Sequence, residues 1–299
     1  MSASVAVSQV PVQELEVFAD DLDIEKAAAI YREHGALVVR GLMKPYLKTI
    51  AGEIERKAQE AIALLPQAKK IVEGWTVPNG TLFLPAPPGF KRDRQIMVLG
   101  YNYHASATFF RSALDERTLA LVKAVLGENI ELFGNGQCLY KEPVGGHPKH
   151  LHQDAAYFEH KYEGPMAMLN YVVDTDLLNG ALHVVPGSHR FGVLNHVDTF
   201  SHLGLDEREW PWERATPVCG QAGDSIFFHV KTIHGSKENH STQPRPVFIH
   251  RYRRSDDYTV VSATTAANRA ENEKHREERK KENQLGFMLS GFRAWEARD

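Results

Sequence analysis

Cysteine is nearly absent: 299 residues carry two, Cys138 and Cys219, far apart in the chain. That excludes a disulfide framework and suits reduced thiols in a cytosolic protein. No apolar run approaches the ~20 residues needed to cross a bilayer. Residues 1–12 lack the basic start and apolar core of a secretory leader. The chain closes on Glu296-Ala297-Arg298-Asp299, which is not a peroxisomal address of the Ser-Lys-Leu type. Neither sign of charge dominates, with 35 basic against 38 acidic residues and a formal net charge of −3. Nothing therefore points to nucleic acid or to an anionic membrane as partner. The cytoplasm is the expected compartment. No internal repeat is visible, and the sequence sets no oligomeric state. What is present is an ordinary soluble composition, 42% hydrophobic and 24% charged, in a chain long enough to bury a core without staples.

The first part reads largely as helix. Asp23 to His34 is a short amphipathic helix closed by Gly35 at a left-handed cap, and Ala36 to Gly41 follows as a buried strand. Pro45 to Leu65 and Asp115 to Leu126 have helical period, with a tolerable first-turn proline in the former and Gly127 ending the latter. Between them, Gly74 to Gln95 is rich in Gly, Pro and aromatics, has no period, and reads as a long functional loop of the lid type. From Asn129 the pattern changes to short β-rich runs: Ile130 to Phe133, Gln137 to Lys141, Met166 to Val173, Ala181 to Val185, Thr216 to Cys219, Ser225 to Val230 and Val247 to Tyr252. Asn179-Gly180 and Pro186-Gly187 mark tight turns. This spacing favours a β sandwich or barrel over alternating βαβ units. Thr265 to Gln284 is densely charged and reads as a solvated helix.

The chemistry concentrates in the β part. His152-Gln153-Asp154 supplies an imidazole and a carboxylate two residues apart, which on an extended segment share a face about 6–7 Å apart, with Gln153 turned away. An isolated triplet of this kind is weak, since the chain has 15 histidines. His234-Gly235-Ser236 follows the buried run Ile226-Phe227-Phe228, and Ser236 shares the face of His234. Arg245 opens the next apolar run, Val247-Phe248-Ile249. Two His and one carboxylate on one side of a metal leave its other side open, the ligand set of non-haem Fe(II) oxygenases. A guanidinium beside Ser236 would grip the far carboxylate of a dicarboxylic co-substrate in a forked contact.

The run His147-Pro148 through His152-Gln153-Asp154-Ala155-Ala156-Tyr157-Phe158 resembles the metal motif of the phytanoyl-CoA dioxygenase family. Phe227-Phe228-His229, Ile233-His234-Gly235-Ser236, Asn239 and Arg245 resemble its second half in spacing and identity. Asn179-Gly180-Ala181-Leu182 and Val185-Pro186-Gly187-Ser188-His189 are similar to the segment that links them. The resemblance runs from about Gly134 to Arg253 and is looser before that. It implies a mainly β (α+β) fold, a double-stranded β-helix or cupin-like jelly-roll barrel with flanking α-helices. A single oxygenase domain would span 1–299, with an N-terminal helical part to about 128, a jelly-roll core at about 129–262 and a C-terminal charged helix from about 263. It further implies that His152, Asp154 and His234 ligate Fe(II), and that Ser236 and Arg245 hold 2-oxoglutarate. Gln137 and Asn170 fall where the family places further co-substrate contacts; both differ in type from the acyl-CoA enzyme, which has tryptophan at the second. The implied activity is an O2-using dioxygenase that converts 2-oxoglutarate to succinate and CO2 while hydroxylating, or otherwise oxidising, a small molecule. Asp154 stands against halogenation, because related chloride-binding enzymes replace that carboxylate with a small residue.

Other residues are set aside. A cupin metal motif would need glycine at Val144 and a glutamate nearer than Glu159. His150 would share a strand face with His152, while His147, His160, His229 and His250 read as turn, core or supporting histidines. Tyr140, Tyr157 and Phe158 suit substrate contact and core packing equally, and Tyr101, Tyr103 and Phe109 suit packing better. Arg251, Arg253 and Arg254 could attract an anionic substrate, but with Arg251 and Arg253 at alternate spacing on a strand they read better as a solvated outer face. Two alternatives remain: an iron enzyme of the same barrel with another co-substrate, and a silent binding protein that keeps the fold. Arg245 separates the first from the leading reading and the intact ligand set separates the second.

Overall fold

The computed structural model describes residues 9–71, 74–199, 202–260 and 285–293. The charged helix expected at Thr265 to Gln284 lies outside the described residues. The first helix, α1 (Ile24–His34), begins where the Asp23 carboxylate accepts from the Lys26 amide and ends at Gly35, left-handed at φ 64°. A Cβ there would lie 2.3 Å from Nδ1 of His189, so the cap is also a close contact with the barrel. The longest helix, α2 (Lys44–Ala63), carries its proline in the first turn. Ser106 caps the short α3 (Ala107–Ser112), and Asp115 caps α4 (Glu116–Leu126) through two amides.

The strands in chain order are β1 (Glu16–Phe18), β2 (Ala36–Arg40), β3 (Lys69–Ile71), β4 (Gly74–Thr76), β5 (Leu82–Pro85), β6 (Arg94–Leu99), β7 (Ile130–Leu132), β8 (Gln137–Lys141) and β9 (Lys149–His152). They continue with β10 (Met166–Tyr171), β11 (Leu182–Val184), β12 (Val197–Asp198), β13 (Leu203–Gly204), β14 (Thr216–Val218), β15 (Ser225–Phe228), β16 (His234–Ser236), β17 (Arg245–Arg254) and β18 (Met288–Ser290). A short helix, α5 (Ala155–Phe158), follows β9. The major sheet runs β1-β2-β15-β10-β17-β8-β6-β5-β4-β3, with β7 on β17 and β18 on β7. The minor sheet is β14-β11-β16-β9, and β12-β13 form a separate hairpin.

Alternation places two cores on the major sheet. On β10 and β17, Ala167, Leu169, Tyr171, Val247 and Ile249 turn inward against Leu182, Val184 and Val218 of the minor sheet. Met166, Met168, Phe248 and Tyr252 turn outward into a larger core with α1, α2, α3 and α4. The structure is thus a two-sheet jelly roll with helices on the outer face of one sheet. The buried strand expected at Ala36 to Gly41 is β2, and it pairs directly with β15. One expectation about the N-terminal part changes. Gly74 to Gln95 is not a structureless lid: it forms β4 and β5 and leads into β6, which extends the major sheet by pairing with β8. Most of its Gly and Pro fall at Pro78-Asn79-Gly80 and Pro87-Pro88-Gly89 between the strands, and Gly74 and Pro85 stand at the ends of β4 and β5, leaving strands too short for alternation to show. Among the described residues, no helix is long and apolar enough to cross a membrane.

Candidate functional site

Between the two sheets lies a cavity of about 740 Å³, reached by residues of both. On its minor-sheet wall, β9 and β16 pair so that His152 stands directly opposite His234, with ring centroids 4.3 Å apart. Gly235 permits this approach, because a Cβ there would sit 2.7 Å from the Lys149 carbonyl oxygen. Each ring is oriented by its own chain: Nδ1 of His152 is 2.8 Å from the His150 carbonyl oxygen, and Nδ1 of His234 is 2.9 Å from that of Thr232. Both Nε2 atoms therefore face inward, each 3.7 Å from Oδ1 of Asp154. Asp154 arrives by a different route from the extended one the sequence suggests. β9 ends at His152, and Asp154 has helical φ/ψ at the entrance to α5, so the turn, not strand alternation, brings its carboxylate back over the two rings.

One ligand atom from each of these three residues lies within 4.8 Å of the other two, and all three residues are buried. Burial alone would raise the pKa of Asp154, but Arg251 and the two imidazoles outweigh it and hold the carboxyl well below the usual carboxylate range. Burial, then the neighbouring His152 ring, lowers His234 to about 4, leaving its Nε2 lone pair available at neutral pH. Two imidazole nitrogens and an ionised carboxylate oxygen, each tied from behind, fit a divalent first-row metal.

Gln153, between the ligands, is wholly buried and spends its amide on anchorage. Its Nε2 donates to the carbonyls of Gly192 (2.9 Å) and Lys231 (2.7 Å), and its Oε1 accepts from the Leu194 amide (2.8 Å). It fastens the end of β9 to the segment that leads into β16.

The major-sheet wall carries Lys141, Arg245 and Arg251, and Lys149 lines the cavity from β9. Along β17, Arg245, Val247, Ile249 and Arg251 all line the cavity, as alternation requires. Arg245 is 3% exposed and, among the described residues, donates only to the backbone carbonyls of Asn179 and Gly180. Among the described residues it forms no ion pair, and burial brings its pKa down to about 10. A buried guanidinium satisfied by neutral carbonyls alone is costly unless an anion joins it, so this end of the cavity fits a carboxylate. Ser236 lines the same cavity, and Lys141, opposite Arg245 across the β17–β8 ladder, donates to the Ser236 carbonyl at 3.1 Å.

Gln137 also lines the cavity, and its Oε1 accepts from both terminal nitrogens of Arg251 at 3.3 Å. Asn170 does not. It has the opposite parity to the inward Leu169, and its side chain is committed on the outer face, donating to the Met168 and Phe248 carbonyls and accepting from Ser225 Oγ. A co-substrate contact from Asn170 is therefore corrected. Arg251 and Arg253 are not a solvated outer face either. Arg251 Nη2 lies 3.5 Å from Oδ2 of Asp154, and Arg253, 1% exposed, pairs with Glu131 at 2.6 Å. The parity of Arg251 with Arg245 was the signal for this placement. The β12-β13 hairpin adds Thr199 and His202 to the ligand side of the cavity, with the His202 ring 5.6 Å from that of His152. Of the histidines set aside, His147 lines the cavity, whereas His160, His229 and His250 do not.

Known proteins agree with this architecture. Solved structures similar to this chain include the epimerase SnoN in complex with Fe3+, alpha ketoglutarate and nogalamycin RO, at TM-score 0.59 and 23% identity over 82% of this chain and 88% of that one. EctD from S. alaskensis gives TM-score 0.57 and 19% identity over 85% of each chain. At those identities they speak for the fold. Among relatives, a probable alpha-ketoglutarate-dependent hypophosphite dioxygenase of Stutzerimonas stutzeri is 32% identical over 49% of this chain and 53% of its own length. Peroxisomal phytanoyl-CoA dioxygenase of Mus musculus is 26% identical over 80% of this chain and 71% of its own length. The chain spans about half the length of the first of these relatives. A family model described as phytanoyl-CoA dioxygenase (PhyH) matches residues 31–247, from α1 into β17 and across all three ligand candidates. With most of its length inside that match, the chain belongs to the phytanoyl-CoA dioxygenase family.

Proposed function

We infer that this chain is an Fe(II)- and 2-oxoglutarate-dependent dioxygenase acting on a small molecule, with the cytoplasm as its compartment. The observation that carries the reading is the pairing, inside one cavity, of a His152–Asp154–His234 cluster with a buried guanidinium that has no carboxylate partner among the described residues. His152 and His234 would hold the metal through Nε2 and Asp154 through Oδ1. Arg245 and Ser236 would take the far carboxylate of 2-oxoglutarate, and Gln137 stands as a further polar contact on that wall. When bound, iron and 2-oxoglutarate supply O2 activation coupled to oxidative decarboxylation, which gives succinate and CO2 and oxidises a C–H bond of the substrate.

The protein's own part is placement and exclusion. Backbone carbonyls on both Nδ1 atoms fix the ring orientations, so both imidazoles present Nε2 inward. Arg251 Nη2 lies 3.5 Å from Oδ2 of Asp154, and Oδ1 is the oxygen that faces the rings. Leu139, Leu169, Leu182, Phe228, Val247 and Ile249 line the cavity with apolar surface and limit water around the polar groups. The hydroxyl of Tyr157 accepts from the Leu203 amide at 2.8 Å and ties α5 to the β12-β13 hairpin that walls the ligand side. The deciding assay supplies purified protein with ferrous iron, 2-oxoglutarate and O2, in the presence of ascorbate as the reductant that stands in for substrate. Succinate that appears only when all three are present supports the reading, and none under those conditions contradicts it.

A further inference from the structure

Arg251 is the one inward-facing charge on β17 that the reading above leaves without a task of its own. It lies six residues from Arg245 on the same face, about 20 Å along the strand. Its guanidinium rests over the Phe158 ring, 5.3 Å from the centroid, a contact that fixes the plane and leaves the edges for hydrogen bonding. Those edges are poorly used. A guanidinium has five N–H donors in a rigid fork. Here two nitrogens share the single Oε1 of Gln137 at 3.3 Å each, one reaches Asp154 at 3.5 Å, and the buried Nε has no partner. A forked oxyanion beside Asp154 would satisfy donors that the protein leaves weakly bonded.

The charge of the cavity points the same way. Among the described residues, Lys141, Lys149, Arg245 and Arg251 line it against only Asp154 and Asp198, a surplus of two positive charges. A ferrous ion and a 2-oxoglutarate dianion cancel each other and leave that surplus standing. Burial and the repulsion of Arg245 lower the pKa of Lys141 well below its usual value, and with Lys141 discharged one positive charge is still left over. A loaded cavity of this kind attracts an anion and penalises a cation.

We propose that Arg251 is the substrate anchor of this site, and that the substrate is a small molecule carrying an oxyanion (carboxylate, sulfonate or phosphonate) that docks on Arg251 beside the Asp154 carboxylate. This rests on the oxygenase reading and adds to it the substrate class and the residue that selects it. Gln137 then acts as a gate for the fork, holding its two terminal nitrogens until the oxyanion takes them.

The test is calorimetric titration of protein loaded with Mn(II) and saturating 2-oxoglutarate, using methanesulfonate and methylphosphonate as probes and dimethyl sulfone as the neutral isostere. Wild-type protein is expected to bind both anions and not the sulfone. In Arg251→Gln the anion affinities should fall at least about tenfold, and in Arg251→Lys, which keeps charge without the fork, by less. Affinities for Mn(II) and 2-oxoglutarate should stay within about threefold, and a thermal melt of each variant checks that it folds. Anions that bind no better than the sulfone overturn the proposal. So does a loss in Arg251→Gln that falls on 2-oxoglutarate, which would make Arg251 a co-substrate contact, or on Mn(II), which would make it only a support for Asp154. Wild-type protein that takes up neither Mn(II) nor 2-oxoglutarate sinks the oxygenase reading itself, a result visible before any anion is added.

Discussion

The two faces of β17 are equally buried and their polar groups are treated in opposite ways. On the outer face, His250 is 0% exposed, and both ring nitrogens have partners, Tyr103 Oη at 3.0 Å and Ser112 Oγ at 2.9 Å. Phe109 packs beside it with centroids 4.9 Å apart. On the inner face, Arg245 has only carbonyls and Arg251 leaves Nε unbonded. A buried polar group that the protein fully satisfies is part of the framework, whereas one left wanting a counter-charge marks a place for a ligand. Burial alone does not separate these roles; the completeness of the hydrogen bonding does.

The comparison can be broken at several points. The largest expected effect is in Asp154→Ala, which removes the only carboxylate of the ligand cluster: succinate formation should drop to background and metal affinity by more than about 100-fold. Retained turnover in that variant would remove Asp154 from the site. Next comes Arg245→Ala, with a 2-oxoglutarate dissociation constant raised about 10²–10³-fold, since losing one partner of a desolvated charge pair costs about 3–5 kcal/mol. Its stability should change by no more than about 1 kcal/mol, because the deletion also relieves an uncompensated buried charge. His250→Ala should do the reverse, costing about 3 kcal/mol of stability while leaving 2-oxoglutarate affinity within about twofold. Denaturant melts and equilibrium binding on the same pair of variants test this crossing of effects, and two variants that behave alike would show that the faces do not differ.

Smaller effects sharpen the picture. Gln153→Ala should weaken metal binding about tenfold without altering the ligands, because the anchorage of β9 to the Gly192 and Lys231 carbonyls is lost. Normal metal affinity in this variant would mean that β9 is held elsewhere. The smallest concerns pH. Burial lowers His250 to about 3 from its usual 6.5, so the folded state binds this proton less readily than the unfolded chain. The stability linked to its neutral form is whole above pH 6.5 and is lost as pH falls toward 3, with a slope of up to about 1.4 kcal/mol per unit. His250→Phe should flatten the stability profile by one proton between pH 6 and 4.5, and an unchanged slope would mean the ring is already charged in the folded state.

Local signals carry much of this fold. Asp23 and Gly35 bound α1 in the sequence as in the structure, and strands such as β8 and β10 show in the alternation and turn residues around them. Pairing across the chain does not show. No local pattern tells that β9 lies against β16 with His152 facing His234, or that β2 completes the major sheet from far upstream. Alternation relates residues to one another without saying which side is the cavity, so it does not by itself turn Arg251 inward, and the family resemblance that suggests a co-substrate contact for Asn170 does not carry its strand parity. A reading of β17 that began from Arg245 would have carried Arg251 inward with it. Asp154 shows a further limit: strand geometry suggests that it faces with His152, but the residue already belongs to the turn into α5.

The central claim is that one cavity brings a metal and 2-oxoglutarate together through His152, Asp154, His234 and Arg245. Its most direct test is anaerobic titration of 2-oxoglutarate into protein carrying one equivalent of Fe(II), followed by visible absorbance. The account predicts a metal-to-ligand charge-transfer band that saturates at one 2-oxoglutarate per chain and does not form in Asp154→Ala. A wild-type spectrum that stays flat through the titration would contradict it.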